Sequence, residues 1–407
     1  MATTSARAES VFRSPAFTRF YFGQALSYVG DGLRTLAIPL LVFKLTGSAL
    51  SLGVTFALEI VPFALFSLVG GSLADRLARR RLMLTCDMIR FTIMVLFTVA
   101  YATGKLTLPL LYIGVVLLAM SGAIFLGSQS SSIPYLLGKN RAKAAVSALI
   151  ATEQSVNLIA PPVGGAMFAL LGPLPALAIN ALTYLTSQIS IASVADFGPE
   201  RPSGIPNFGE IATDIVAGWR FLTADIALRS LTFAQLGMNT FGILGFVAVI
   251  PYFKREFGAS DPVVGLAFGA FALGAVAGSV VGGKTHWPFG RALIIAHIFD
   301  AIAWSPTIWT HSLFVAIAAI ATSSACGTYS VTSLIAWRMR IIPEEMVGRV
   351  FGVIRLIVLI GMLPGSLLGG WIADRYGVRM DMFVSTIGFA AVVVALISMK
   401  SLREDRR

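Results

Sequence analysis

Charged side chains are scarce in this sequence, since Asp, Glu, Lys and Arg together make up 13% of its 407 residues. Soluble globular domains carry about 25% charged residues, because a surface in contact with water needs them. The chain is also 56% hydrophobic, with a mean hydropathy of +0.82. A soluble protein cannot cover that much apolar surface, whereas a lipid bilayer accepts apolar side chains directly. The composition therefore predicts a membrane protein.

Cysteine and histidine are scarcer still, with two and three copies. Cys86 and Cys326 both lie inside apolar runs, where they are expected to be packing residues. The sequence has no CxxC pair, and His286, His297 and His311 are too scattered to form a ligand set. It also lacks the GxSxG and HExxH patterns. The chain is therefore not expected to be an enzyme, and neither a cofactor nor a metal site is predicted.

Twelve apolar runs are long enough to cross a bilayer, which takes about 20 residues each. They cover residues 16–43, 50–74, 82–102, 108–132, 144–171, 174–195, 227–253, 262–283, 292–310, 313–337, 350–373 and 382–399. Their grouping predicts an all-α membrane protein with twelve transmembrane helices in two pseudo-symmetric six-helix bundles. The predicted bundles occupy residues 1–195 and 227–407.

The linker between the bundles, residues 196–226, carries apolar residues at the 3–4 residue spacing of one helix face. These are Phe208, Ile211, Ile215, Trp219 and Leu222. The spacing predicts an amphipathic helix on the cytoplasmic membrane surface, which tethers one bundle to the other.

The basic residues are distributed unevenly between the two predicted membrane sides. The termini and the even-numbered connections, counted together with Arg19 and Arg229 in the first turns of spans one and seven, hold 22 of the 31 Lys and Arg residues, and the odd-numbered connections hold six. Because Lys and Arg are retained in the cytoplasm, both termini are predicted to be cytoplasmic. The net charge of +11 is thus a signal of topology, and no nucleic acid partner is predicted.

An internal repeat relates the two halves. Five positions recur 212 residues later and three recur 205 residues later, so one indel of seven residues reconciles them. The pairs are Pro39/Pro251, Gly53/Gly265, Gly70/Gly282, Gly71/Gly283, Arg79/Arg291, Gly164/Gly369, Gly165/Gly370 and Gly172/Gly377. Duplicated halves around a midplane cavity are typical of secondary transporters.

The segment between spans two and three is rich in glycine and arginine. Residues 70–81 resemble motif A of the major facilitator superfamily, with Ala78 in place of the usual Gly. The matching positions are Gly71, Asp75, Arg76, Arg79 and Arg80. In span five, residues 160–165 resemble the motif of facilitator antiporters that export their substrates. This second motif is carried by Pro161, Pro162, Gly164 and Gly165.

Segments 27–32, 45–49, 218–222 and 343–350 resemble the superfamily branch that holds macrolide efflux proteins and the enterobactin exporter. The resemblance implies a proton-coupled exporter that works by alternating access, as in multidrug resistance. Its substrate would be a hydrophobic or amphipathic small molecule: a drug, macrolide, siderophore or metabolite. A monomer is expected. The alternatives are an importer or lipid flippase of the same fold, and a membrane receptor or assembly factor that transports nothing.

Two further motifs conflict with this reading. Residues 278–285 fit the P-loop pattern GxxxxGK[ST], but they end an apolar span instead of following a strand, so no nucleotide is predicted. Residues 370–379 resemble motif A, although the span count places them outside the cell. The repeat supports the outside position, because it aligns Gly369 and Gly370 with Gly164 and Gly165 of span five.

Ionisable residues inside spans are costly, so each is a functional candidate. A carboxyl group shielded from water can bind a proton near neutral pH. The candidates for proton coupling are Asp31, Glu59 and Glu153, although a permanent pair with Arg34 is an equally good interpretation of Asp31. The candidates for buried ion pairs are Arg34, Asp87, Arg90, Asp300 and Arg355. The polar candidates for a cavity lining are Gln24, Gln154, Asn157, Gln235 and Asn239.

Overall fold

The structure is a computed structural model that describes residues 11–194, 197, 208–284 and 289–399. Within these ranges the described set excludes the side chains of residues 68–76 and of scattered positions, most of them in 139–169. Nine helices of the described part are long and apolar enough to cross a membrane. A helix satisfies its own backbone hydrogen bonds, which lipid cannot do.

Eleven of the twelve predicted spans each coincide with one helix, the seventh span coincides with two, and one further helix lies in the linker between the two groups. The first group comprises α1 (Pro15–Thr46), α2 (Ala49–Arg76), α3 (Arg79–Ala102), α4 (Leu108–Leu137), α5 (Lys139–Leu171) and α6 (Pro173–Ala192). The linker helix is α7 (Phe208–Ala224). The second group comprises α8 (Ile226–Val247), α9 (Val249–Phe257), α10 (Asp261–Lys284), α11 (Phe289–Trp304), α12 (Leu313–Ile341), α13 (Val347–Arg375) and α14 (Val378–Ser398).

The seventh span is divided, because α8 ends at Val247 and α9 begins at Val249. Proline has no N–H group, so Pro251 cannot donate a hydrogen bond to the carbonyl of Val247, and its ring crowds that carbonyl. The interruption lets α9 lean toward α1 of the other bundle, which it contacts.

Helices α1–α6 pack on one another, as do α8–α14, and the two groups meet mainly along α2 with α13 and along α5 with α10. The α1–α2 and α9–α10 connections lie at what we term the distal end. The α2–α3 connection and the ends of the described chain lie at the opposite, terminal end. The bundle boundaries at residues 195 and 227 stay a prediction.

The linker helix α7 packs against the second bundle. Leu222 is fully buried in a cluster with Leu228, Ile342 and Val350, whereas Trp219 is exposed. The predicted apolar face is therefore packed on the second bundle at Leu222 and exposed at Trp219. The position of α7 on a membrane surface stays a prediction.

Helices α10 and α12 approach each other closely in the second bundle. A β-carbon at Gly274 would lie 1.9 Å from the carbonyl oxygen of Ala321, and one at Gly278 would lie 2.0 Å from that of Ala325. Gly278, the first glycine of the P-loop pattern, therefore permits helix packing, and the segment is helical as far as Lys284.

We expect Gly274→Ala to lower the thermal stability of the purified protein, because overpacking typically costs about 1–3 kcal/mol. The matched control is Gly122→Ala, since a β-carbon at Gly122 meets no atom within 4 Å. Alanine favours a helix by about 1 kcal/mol over glycine, so the control should be neutral or stabilising. Thermal unfolding followed by tryptophan fluorescence measures both, and equal stability of the two variants would contradict the packing argument.

Candidate functional site

A cavity of about 470 Å³ lies within the second bundle, between α8, α11, α12 and α14. Its lining is mainly apolar and includes four large aromatic side chains, those of Phe246, Phe271, Trp304 and Phe389. Trp304 and Phe389 meet edge to face, with ring centroids 6.0 Å apart. The cavity falls within the 300–1,000 Å³ range of typical small-molecule sites.

The α8 side of this cavity carries two polar side chains among apolar ones. Gln235 and Asn239, two of the five predicted lining residues, face it. The Asn239 side-chain amide donates to the backbone carbonyl of Gln235 at 2.9 Å. Arg338 of α12 donates to Gln235 Oε1 at 2.8 Å and to Thr232 Oγ1 at 3.1 Å, so its guanidinium is bound to neutral partners.

The α11 side carries His297, Asp300 and Trp304, which share one helix face and all line the cavity. The carboxylate of Asp300 accepts a hydrogen bond from Ser323 of α12. Within the described part of the chain, His297 Nδ1 and Trp304 Nε1 have no hydrogen-bond partner. All three side chains are more than nine-tenths buried.

The sequence-based expectation of an ion pair at Asp300 is wrong for the described residues, where the carboxylate has no basic partner. The described neighbour that α12 presents to this carboxylate is the neutral Ser323, so helix packing places a hydroxyl there and not a base. Arg355 likewise faces an aromatic ring instead of a described acid. Its guanidinium lies 5.1 Å from the ring centroid of Phe63 on α2, a cation–π contact between the bundles.

In the first bundle, Asp87 and Arg90 of α3 form an ion pair at 2.8 Å. Asp87 also accepts a hydrogen bond from Ser187 of α6 at 2.7 Å. Gln24, which was expected to line a cavity, donates to Ser187 at 3.0 Å and accepts from Gln129 at 3.1 Å. It is 1% exposed and belongs to this buried network because its face of α1 points at α4 and α6.

A second charged cluster joins α1 to α2. Arg34 lies 3.5 Å from the carboxylate of Asp31 and 3.3 Å from that of Glu59. Asp31 also accepts a hydrogen bond from Tyr184 of α6. The Asp31 and Glu59 side chains are 31% and 42% exposed, so one guanidinium is shared by two accessible acids.

The remaining candidate for proton coupling, Glu153, is partly buried on α5. The side chains of Gln154 and Asn157, predicted to line a cavity, lie outside the described set. So do Gly71, Asp75 and Arg76 of the motif A segment and Pro161, Pro162 and Gly165 of the export-type motif.

Three residues of these motifs are described. Arg79 donates to Ser131 Oγ at 3.2 Å, and Arg80 donates to the carbonyl of Ala192 at 2.6 Å. Both arginines therefore tie the start of α3 to neighbouring helices at the terminal end. A β-carbon at Gly164 would lie 3.4 Å from the side chain of Leu33, so α5 crosses α1 closely there.

The distal end carries contacts that the sequence did not predict. Asp374 of α13 accepts hydrogen bonds from Ser48 Oγ at 2.6 Å and from the backbone N–H groups of Ala49 and Leu50 at 2.9 Å each. A carboxylate of one bundle thus caps the N-terminus of α2 in the other, where the helix dipole favours negative charge.

Arg255 of α9 binds the same carboxylate. We term the contacts of Asp374 and Arg255 at this end the distal lock. It donates to Asp374 at 2.8 Å and to the carbonyl of Gly47 at 2.6 Å, and its guanidinium lies 5.6 Å from the Phe43 ring centroid. Gly47 ends α1 in the left-handed conformation, with φ of 63°, a backbone geometry that favours glycine. The second segment resembling motif A therefore lies at the distal end, whereas Arg79 lies at the terminal end. This is the side on which the span count placed the segment.

Sequence reasoning also missed the polar face of α11, since it treated the histidines as scattered. One signal was available: His297, Asp300 and Trp304 fall at positions i, i+3 and i+7 of an apolar span. The spacing places them on one face. Their convergence on a cavity depends on α8, α12 and α14, which lie far away in sequence.

Comparison with known proteins agrees with this architecture. The chain matches the transmembrane secretion effector family of the major facilitator superfamily over residues 6–406. It is 26% identical to macrolide efflux protein A of Streptococcus pyogenes, an alignment that covers 94% of each chain. It is 25% identical to the enterobactin exporter EntS of Citrobacter koseri, over 97% of this chain and 93% of that protein.

Among solved structures, a bacterial homologue of the human lysosomal transporter Spinster, in an inward-facing and unoccupied conformation, superposes with a TM-score of 0.73. The match covers 98% of this chain and 99% of that one at 14% sequence identity, so it bears on the fold alone. It confirms the predicted fold of twelve transmembrane helices in two six-helix bundles. The chain is a multi-pass integral membrane protein of the transmembrane secretion effector family, a transporter of the major facilitator superfamily and not an enzyme.

Proposed function

We propose that this protein is a secondary active exporter of a hydrophobic or amphipathic small molecule, driven by the proton gradient. The observation that carries the proposal is the 470 Å³ cavity, which lies among membrane-spanning helices and combines an aromatic wall with polar groups. Polar groups inside a spanning bundle are costly unless they serve a substrate or ion pathway. The direction of transport is supported by the two relatives, whose names describe efflux and export.

The proposed setting is the bacterial inner membrane, with both termini in the cytoplasm and the protein acting as a monomer. The support for this topology is the excess of Lys and Arg in the connections at the terminal end. The distal end then faces outward and is held closed by Asp374 and Arg255. Substrate would enter from the cytoplasm or the inner leaflet and leave when the distal lock opens.

Proton coupling is assigned to the cluster of Asp31, Arg34 and Glu59. One guanidinium serves two carboxylates, so a proton that binds either acid removes one of the two ion pairs. Glu59 lies on α2, whose distal N-terminus is capped by Asp374. Protonation would therefore change the contact between α1 and α2 on a helix that also forms the distal lock.

The test uses inverted membrane vesicles from cells that express the protein. We expect ATP-independent uptake of Nile red, a macrolide or a catecholate siderophore into these vesicles when a proton gradient is imposed. A protonophore should reduce the rate to that of vesicles without the protein. Unchanged uptake after the gradient collapses would reject the coupling, and greater accumulation in expressing intact cells would reject export.

A further inference from the structure

We propose that the cavity between α8, α11, α12 and α14 binds lipophilic cations, with the carboxylate of Asp300 as the counter-ion of their ammonium or iminium group. This substrate class rests on the proposed function as a small-molecule transporter. Four independent features of the cavity support it.

The first feature is a difference between the two halves. The repeat aligns Arg79 with Arg291, and each half places an acid eight or nine residues later, Asp87 on α3 and Asp300 on α11. Asp87 is paired with Arg90 at 2.8 Å and accepts a hydrogen bond from Ser187. Asp300 faces a cavity, and among the described residues its hydrogen-bond partner is the neutral Ser323. A buried carboxylate without a cation is unfavourable, so the cavity is suited to receive one.

The second feature is the absence of a competing cation in the described cavity wall, where the ionisable side chains are Asp300 and His297. Cys326, on α12 next to the cavity-lining Gly327, carries no charge as a thiol. Arg338, further along α12 and outside the cavity lining, donates to Gln235 and Thr232. The guanidinium is therefore already engaged on the α8 side and leaves Asp300 available to a ligand.

The third feature is a pair of unsatisfied polar atoms on the same helix face. His297 Nδ1 and Trp304 Nε1 are buried and have no partner in the described part of the chain. The indole N–H can only donate, so it requires an acceptor on the ligand. A ligand that satisfies this face carries a cation for Asp300 and a carbonyl, ether or ring nitrogen about one helical turn away.

The fourth feature is the aromatic lining. Flat aromatic surfaces bind an apolar ligand body, and the face of an aromatic ring attracts a cation. Phe246, Phe271 and Phe389 provide such surfaces in the same cavity as Asp300. This combination selects a planar or bulky apolar molecule with a delocalised or tertiary-amine charge, in preference to a small hydrophilic cation.

The test compares two dyes that share one ring system, cationic Nile blue and neutral Nile red, for binding to the full chain in lipid nanodiscs near neutral pH. We expect the wild-type protein to bind Nile blue more tightly. Asp300→Asn should weaken Nile blue binding by about tenfold or more, because charge-assisted contacts are the strong ones. Nile red binding should change by less than about twofold, which also shows that the cavity is folded.

Asp300→Glu is the matched control, since it keeps the charge on a longer side chain and should retain the preference for Nile blue. Equal wild-type affinity for the two dyes would overturn the proposal, as would an Asp300→Asn variant that keeps the preference or loses both dyes equally. A binding preference without gradient-driven transport in vesicles would reject the proposed export function and leave the cation site standing.

Discussion

Asp374→Asn should open the distal end of this transporter and shift it strongly toward the opposite state of its transport cycle. The carboxylate accepts four hydrogen bonds: one from Ser48, two from the first N–H groups of α2 and one from Arg255. All of these contacts except that with Arg255 join the two bundles, so they are lost when the bundles separate at this end.

The expected shift is large because the negative charge strengthens every contact in the lock. Hydrogen bonds to charged groups contribute about 1.5–3 kcal/mol each, and an acid at a helix N-terminus adds about 0.5 kcal/mol. Asparagine keeps one acceptor oxygen and loses the charge. A net loss of about 3 kcal/mol would change the ratio of closed to open forms by on the order of 100-fold.

The measurement is the distance between spin labels placed on the two bundles at the distal end. Cysteines at the exposed positions Lys105 and Ser260 suit this purpose once Cys86 and Cys326 are replaced by alanine. We expect a single short distance in the reference protein and a dominant longer distance after Asp374→Asn.

The control for the distal lock is Asp261→Asn. Asp261 also lies at the distal end, but it pairs with Lys254 of the same bundle. Its replacement should leave the distance unchanged. If Asp374→Asn and Asp261→Asn give the same distance distribution as the reference, the contacts of Asp374 do not hold the distal end closed.

Glu59→Gln should abolish the response of export to the proton gradient, the second large effect. Glutamine matches glutamate in shape but cannot bind or release a proton at this site. Arg34 would then pair with Asp31 alone, whatever the proton concentration. We expect gradient-driven uptake into inverted vesicles to fall by about tenfold or more, to the rate seen with a protonophore, because such a tenfold loss needs only about 1.4 kcal/mol.

Asp31→Asn tests whether the two acids act as one unit. The effects of substitutions at residues that share a partner are not additive. Gradient-driven uptake by the variant that carries both Glu59→Gln and Asp31→Asn should therefore be scarcely lower than uptake by either single variant. Glu256→Gln is the matched control, since Glu256 pairs with Arg379 at the distal end of the second bundle. If the Glu59→Gln protein responds to the gradient as the Glu256→Gln protein does, the cluster of Asp31, Arg34 and Glu59 takes no part in proton coupling.

The fold could be predicted from the sequence because the physics of spanning a membrane is local. A run of about 20 apolar residues must be helical in lipid, whatever lies next to it. The twelve runs and the helix in the linker can therefore be read from composition and spacing. The break at Ala248 could not, because Pro39 occupies the equivalent position of α1 and does not interrupt that helix.

The charged residues were harder to place, because a sequence reveals neighbours on one helix but not between helices. The Asp87–Arg90 pair is one turn apart and follows from spacing. The pairing of Arg34 with Glu59 and the capping of α2 by Asp374 link residues 25 and 325 or so positions apart. Neither contact can be predicted from the spacing of residues along one helix.

The sequence by itself determined that this chain is a bundle of membrane helices with a duplicated plan, because lipid imposes its requirements on each segment separately. Only the tertiary structure decided which polar groups meet. Gln24 is buried in a hydrogen-bond network, Asp300 faces a cavity with no basic partner among the described residues, and Asp374 caps the N-terminus of α2 in the other bundle. Such contacts depend on helix rotation and on the approach of distant segments, and helix packing sets both.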